Sequence, residues 1–235
     1  MTTSTRVFVT GLGAVGASGM NLDAMWDALL KGDTAPSGSV PEYNPRTMLP
    51  DRKLLKAISR QDVLGIHAAK QAIEHSGMLA HMENPEQTGV YVGSPGNKYY
   101  QQYDFLPLMA KTKGDMHAFG EQLMDEVHPM WLLRILPNNV LAYTGISYGF
   151  KGANHNVVNH ATGGMQALLE AYHAIQIGQV SRVVVVAYDV GTDEQAMFYY
   201  DKLGLLSPTG LNPFDVTHNG TRLAERAAAF VLDSG

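Results

Sequence analysis

Apolar positions along the chain follow two periods. Short apolar runs at 6–10, 89–92, 155–159, 182–188 and 227–232 read as strands, each bounded by glycine or polar turn residues. The run at 183–187 is almost solid valine, the pattern of a parallel strand buried on both faces. Between these runs the apolar residues recur at helical spacing. Asn21 or Asp23 caps a helix that ends near residue 30, with Leu22, Trp26, Leu29 and Leu30 on one side and Gly32 beyond it. Val63, Ile66, Ala69 and Ile73 mark a long helix over 59–76 before Gly77. Further helices are predicted near 115–127, opened by Leu136-Pro137-Asn138-Asn139 and running to about 148, and over 165–177. The last is apolar nearly all round (Met165, Leu168, Leu169, Tyr172, Ile175), as a fully buried helix is. Pro36, Pro41, Pro45 and Pro50 make 33–52 an irregular connection. The alternation of strand and helix predicts an α/β fold with a mixed, mostly parallel sheet and helices on both faces. We expect one domain over 1–235, with an irregular and helical insertion at about 94–135.

Composition narrows the function classes. Only 17% of the 235 residues are charged, against about 25% in an ordinary soluble domain. A face that reads as core is therefore expected to be buried against another chain. The net charge of −5 argues against a nucleic-acid or anionic-membrane binder. The longest aliphatic run falls far short of the roughly 20 residues that span a bilayer, and the first residues lack the apolar stretch of a signal peptide. A soluble cytoplasmic protein is expected. The chain has no Cys, which excludes a disulfide framework, a thiolate zinc site and a cysteine nucleophile.

Several motifs carry a possible chemistry. Gly11-x-Gly13-x-x-Gly16 follows a strand as a dinucleotide fingerprint does, but no second strand ending in an acidic residue follows about 20 residues on, so glycines for a tight turn are the better reading. Gly93-Ser94-Pro95-Gly96 lacks the glycine two positions before the serine of a nucleophile elbow, and Pro95 has no N–H to offer an oxyanion; Ser94 reads as a turn residue. His155 and His160 point to different faces and share no metal. No metal or cofactor site is expected. The aromatic patch Tyr99, Tyr100, Tyr103 and Phe105 suits either core packing or the lining of an apolar channel. Lys53, Lys56 and Arg60 form a modest basic face, either simply solvated or a dock for an acidic carrier. The most informative unit is the strand, small-residue turn and helix at 154–177. A helix N-terminus there would lower a thiol pKa and stabilise an oxyanion, yet the residue at the seat is Ala161.

The chain resembles the β-ketoacyl synthases of the thiolase-like superfamily. The resemblance runs through Val9-Thr10-Gly11-Leu12-Gly13-Ala14-Val15 with Trp26 to Gly32, then Pro137-Asn138-Asn139, then Tyr148-Gly149-Phe150-Lys151-Gly152-Ala153-Asn154, and finally Leu206-Ser207-Pro208 with Pro213-Phe214-Asp215. It implies half of a thiolase-like α-β-α-β-α fold. It also places the family's catalytic cysteine at Ala161. The family's Arg-Asp-Gly segment is here His218-Asn219-Gly220, and its Gly-Glu-Gly-Ala-Gly turn is here Ala224-Glu225-Arg226-Ala227-Ala228.

The resemblance further implies that the two catalytic histidines belong to a second half beyond residue 235. With neither nucleophile nor histidine pair, no condensation chemistry is expected of this chain alone. The implied role is that of a chain-length-factor-type partner, forming a heterodimer with an active β-ketoacyl synthase in a type II polyketide pathway such as aryl polyene synthesis. Acyl carrier protein would be met only indirectly. Tyr99, Tyr100, Tyr103, Phe105, Pro137 and Asn138 are the tunnel or interface candidates. A piece of a longer synthase, an enzyme with another nucleophile, and a homodimer are the competing readings.

Overall fold

The computed structural model describes residues 5–32, 38–96 and 105–235. Five strands, β1 (Val7–Gly16), β2 (Thr88–Ser94), β3 (Asn154–Val158), β4 (Arg182–Val190) and β5 (Glu225–Ser234), form one sheet in the order β1-β5-β4-β2-β3. β4, β2 and β3 pair in parallel, while β5 runs antiparallel to both β4 and β1. Four strands thus point one way and β5 alone opposes them, which is the mixed, mostly parallel sheet that the apolar runs predict.

β4 occupies the centre. Val184, Val186 and Tyr188 point to one face and Val183 and Val185 to the other, and all five are buried. Each face needs a cover. On the first, α3 (Arg60–Ser76) lies across β1, β5 and β4; on the second, α8 (Gly163–Gln176) lies on β2 and β4. The start of α3 is fixed by Asp62, whose Oδ2 accepts from the Ser59 N–H at 2.9 Å and from Asn139 Nδ2 at 3.1 Å, tying α3 to α7 (Asn139–Tyr148). Gly77 ends α3 at φ 64°, a left-handed conformation that suits glycine.

The other helices are peripheral. α1 (Leu22–Leu30) is capped by Asn21, whose side chain accepts from the Ala24 N–H at 2.9 Å, so Asn21 and not Asp23 sets its start. α2 (Pro45–Met48) interrupts the expected irregular connection. α4 (Leu106–Lys111), α5 (Met116–Glu126) and α6 (Trp131–Ile135) gather around Phe105, which meets Trp131 edge-on at 4.6 Å between ring centroids. α9 (Glu194–Lys202), capped by Asp193, buries no side chain and so left no apolar stripe in the sequence.

Two sequence expectations are corrected. Gly11 and Gly13 make no turn: β1 runs on through Gly16, and both glycines face α3. A Cβ on Gly13 would stand 2.1 Å from the Ala68 carbonyl oxygen, and one on Gly11 2.2 Å from that of Ala72. They are glycines because a helix backbone lies against them. Arg60 is not part of a free basic face. Its Nε and Nη2 both donate at 2.7 Å to the Glu225 carboxylate, and its guanidinium lies 3.9 Å from the centre of the Tyr43 ring.

Glu225 is the buried hub of this network, 1% exposed, accepting also from the Val40 N–H at 2.7 Å and Thr192 Oγ1 at 3.2 Å. Burial pushes its pKa up, but the Arg60 guanidinium and these donors outweigh burial and hold it below the ordinary carboxylate value. Glu225→Gln is expected to cost about 3 kcal/mol at neutral pH, the low end for a broken buried pair because Arg60 keeps some water. A carboxylate with a lowered folded pKa stabilises above its unfolded pKa and loses that contribution as the pH falls through the folded one. Urea melts should therefore show the gap between wild type and variant closing as the pH drops below about 4.5, the unperturbed value; a gap independent of pH would refute this account.

Candidate functional site

The carboxyl ends of β1, β2 and β4 meet at one edge of the sheet, and α8 begins there. Two glycines seat its first turn. A Cβ on Gly93 would lie 2.4 Å from the Gly164 nitrogen, and one on Gly164 would lie 2.6 Å from the Ala187 Cβ. The backbone of α8 can thus touch β2 and β4 only with glycine at both points. The Thr162 and Gly163 N–H groups both donate to the Asn159 carbonyl, at 3.0 and 3.1 Å. This tight turn leaves Ala161 exposed immediately before the Thr162 cap of α8.

A cavity of about 540 Å³ opens at Ala161. Val185, Ala187 and Ala228 line it from the sheet; Met25 of α1, Met165 and Leu168 of α8, and Phe230 of β5 add apolar side chains. Arg226 and Asp189, directly opposite each other across β5 and β4, are its charged residues. The Arg226 guanidinium is half-buried and forms no ion pair among the described residues. Ser94, buried at the end of β2, also lines the cavity; Asn156 Nδ2 donates to its Oγ at 3.3 Å, and an amide cannot take a proton from it. Ser94 is a strand residue and not the turn residue that its glycine neighbours suggest. Among the described side chains no histidine lines the cavity, and no group of three metal-ligating side chains occurs among the described residues. The geometry offers a guanidinium and a carboxylate, a helix N-terminus and an apolar space, with a methyl group at the helix start.

Of the candidate positions read from the sequence that lie among the described residues, Ala161 and Ser94 line this cavity. Phe105 packs between Trp131 and Phe119 in the α4–α6 group. Pro137 and Asn138 precede α7, and the Tyr188 hydroxyl donates to the Pro137 carbonyl at 3.3 Å, so Pro137 touches the cavity only through Tyr188. Tyr99, Tyr100 and Tyr103 lie outside the described residues. His155 stands edge-on to Tyr91, 6.1 Å between ring centroids. Arg226 was missed as a site residue. The period of two along β5 could have found it, since it aligns Arg226 with Ala228 and Phe230 on the face toward α8.

A second hollow, of about 680 Å³, lies over α3 between Met20, Tyr43, Met48, His67 and Gln71. His67 there has both ring nitrogens engaged, Nδ1 with the Met48 carbonyl at 3.2 Å and Nε2 with Gln71 Nε2 at 2.8 Å. Burial lowers its pKa and keeps it neutral, which suits a structural imidazole. Among the described residues no helix is long and apolar enough to cross a membrane.

The mixed sheet with helices packed on both faces matches the fold of the amino-terminal half of the thiolase-like ketosynthases. The sequence agrees: residues 50–235 match the family described as β-ketoacyl synthase, N-terminal domain, and the chain belongs to that family. It is 23% identical over 261 residues to 3-oxoacyl-[acyl-carrier-protein] synthase 2 of Staphylococcus aureus, spanning all of this chain and 59% of that one. Among solved structures it is similar to the ishigamide ketosynthase/chain length factor, with a TM-score of 0.80 at 19% identity over 99% of this chain and 59% of that one. It is also similar to a ketosynthase in complex with its chain length factor from Xenorhabdus doucetiae, with a TM-score of 0.76 at 16% identity over 98% of this chain and 58% of that one. The chain spans about three-fifths of the length of these relatives.

The seat can be tested with a thiol. Ala161→Cys introduces the chain's only cysteine, next to the α8 N-terminus and on the same cavity as Arg226. Its alkylation by iodoacetamide should titrate at least half a unit below the roughly 8.5 of a free thiol. An unshifted or raised value would show that the helix end does not act on this position.

Proposed function

We propose that this chain is a non-catalytic, chain-length-factor-type subunit that pairs with an active β-ketoacyl synthase and shapes polyketide or fatty-acyl elongation. The observation that carries this reading is Ala161: the turn, the two glycines and the cavity that would serve a nucleophile are all in place around a methyl group. A condensing enzyme forms a covalent acyl intermediate before it decarboxylates the extender, and a methyl group accepts no acyl chain. The two solved structures with ketosynthase and chain length factor in their names supply the precedent for such a pairing. Residues 1–235 act in this reading as one ketosynthase-like unit. The aromatic positions Tyr99, Tyr100, Tyr103 and Phe105, with Pro137 and Asn138, bound the space available to the growing chain, and the acyl carrier is met through the active partner. A type II polyketide pathway, of the aryl polyene kind, is the expected setting.

The test has two arms. The purified chain should not condense acyl and malonyl thioesters, and Ala161→Cys should not rescue it, because no histidine lines the cavity among the described side chains. Turnover by that variant, free of any partner, would overturn the non-catalytic reading. In the second arm the tagged chain is recovered from native host extract, where a ketosynthase should be retained. Phe105→Ala should then lengthen that enzyme's products, since removing an aromatic of about 150–250 Å² leaves room for several methylenes. No retained ketosynthase, or products that do not respond to deletion of this chain, would defeat the pairing.

A further inference from the structure

α1 buries no side chain, so its place depends on how its first residues are held. The turn before it is closed by Gly16 and Gly19, whose backbones exchange N–H donors at 2.9 and 3.1 Å, and its first turn is capped by Asn21. Met20 stands between turn and cap. Its carbonyl accepts from Gln71 Nε2 of α3 at 2.9 Å. The same amide nitrogen lies 2.8 Å from His67 Nε2, one helical turn back, and Gln71 Oε1 accepts from the Ala14 N–H of β1 at 3.3 Å. His67 Nδ1 meets the Met48 carbonyl, which can only accept, so Nδ1 carries the ring proton and Nε2 accepts from the amide. One Gln71 amide thus joins β1, the start of α1 and the His67 ring.

We infer that His67 and Gln71 form a proton-operated latch on the Met20 carbonyl, closed while the ring is neutral and loosened when it takes up a proton. Acid then frees the start of α1, which contributes Met25 to the cavity at Ala161. Protonation puts a hydrogen on Nε2, and two donors face each other at 2.8 Å. Turning the amide gives no relief, because its oxygen would face the Met20 carbonyl and its nitrogen the Ala14 N–H. The Met20 carbonyl also lies within reach of the ring, so a cationic Nε2–H takes it only by displacing Gln71. Nδ1 donates to Met48 in both forms, so α2 keeps its tie and the disturbance falls on the α1 side. The surrounding charges leave the ring to its burial. Lys70 disfavours the cation and Glu74 favours it, both from α3. Glu42 and Tyr43, from the connection before α2, are the other titratable residues lining the hollow among those described, and β1 and the turn after it bring none there. Burial is the largest influence and favours the neutral ring. A base with a lowered folded pKa stabilises the closed form above its ordinary value of 6.5 and loses that contribution as the pH falls through the folded one. This latch does not depend on the pairing with a ketosynthase.

The experiment is amide hydrogen exchange on the 235-residue chain at about pH 7.5 and about pH 5.5, corrected for the intrinsic rate. Both values lie above the range in which the Glu225 network is lost. Protection over residues 20–30 should fall several-fold at the lower pH. The fall should not exceed about tenfold, the limit for one proton taken up about one unit below the ordinary histidine value. Protection over 183–187 in β4 should not change. His67→Asn keeps a donor toward Met48 and does not titrate, so it should abolish the pH dependence over 20–30. Gln71→Met removes the opposing donor, and the His67 ring resonances should then titrate about half a unit or more above their wild-type value. Equal protection over 20–30 at both pH values in wild type, a loss that persists in His67→Asn, or a His67 titration unmoved by Gln71→Met would overturn the inference. The Gln71→Met titration is read at the ring itself, so it decides the matter even where His67→Asn does not fold.

Discussion

A strand made almost wholly of valine cannot have a wet face, and β4 is such a strand. Burying Val183, Val184, Val185, Val186 and Tyr188 contributes roughly 1.5–3 kcal/mol each, so together they match the whole net stability of an ordinary domain. That gain exists only while helices cover both sides. The requirement fixes α3 against one face and α8 against the other, and β2 and β5 beside them. The glycines of β1 and β2 follow from it: a helix pressed onto a sheet this closely touches backbone with backbone, and Gly13 and Gly93 stand where it does so.

The functional site inherits its geometry from this packing. α8 begins at the carboxyl edge of β2 and β4 because its body must lie on those two strands. The turn before it must be short because Asn159 at the end of β3 receives both of its N–H groups. Nothing in this arrangement needs a particular side chain at Ala161, which points out of the core. A nucleophile there could be lost at little cost in stability, and the seat persists without it. Arg226 could replace a small residue for a related reason: it lies on the β5 face that α8 leaves uncovered, where a long side chain has space.

The strands were legible in the sequence because their apolar runs are short, glycine-bounded and rich in valine; four appear within about two residues of the expected positions, and β1 runs six residues further than expected. The long helices were legible from their stripes and caps, Ser59 and Gly77 above all. What the pattern could not show was partner identity. Gly11 and Gly13 look the same whether they make a turn or admit a helix, and only the packing of α3 decides. Arg60 looks like one of three surface cations until Glu225, 165 positions away, is brought to it. α9 has no buried side chain, so hydrophobic periodicity carried no record of it, although Asp193 and Glu194 are a usable start signal. Ala161 was legible as the seat because strand, turn and helix are contiguous there. The rest of the cavity was not, because Met25, Asp189 and Arg226 come from three separate segments.

The low charge content and the shape of α8 have one cause. A helix on the outside of a sheet ordinarily carries ionised residues on its far side, which keep it soluble and its neighbours at a distance. α8 carries Met165, Leu169, Tyr172 and Gln176 there instead, while its sheet-facing side is small and tight, with Ala167, Ala171 and Ala174. Small residues toward the sheet let the helix sink until its first turn meets Gly93; large apolar residues on the far side make sense only if that side is covered too. The same helix therefore places the Ala161 turn at its start and an exposed apolar stripe along its length. The shape of the cavity at Ala161 is set by the sheet beneath α8 and by the depth to which Gly93 and Gly164 let its first turn sink.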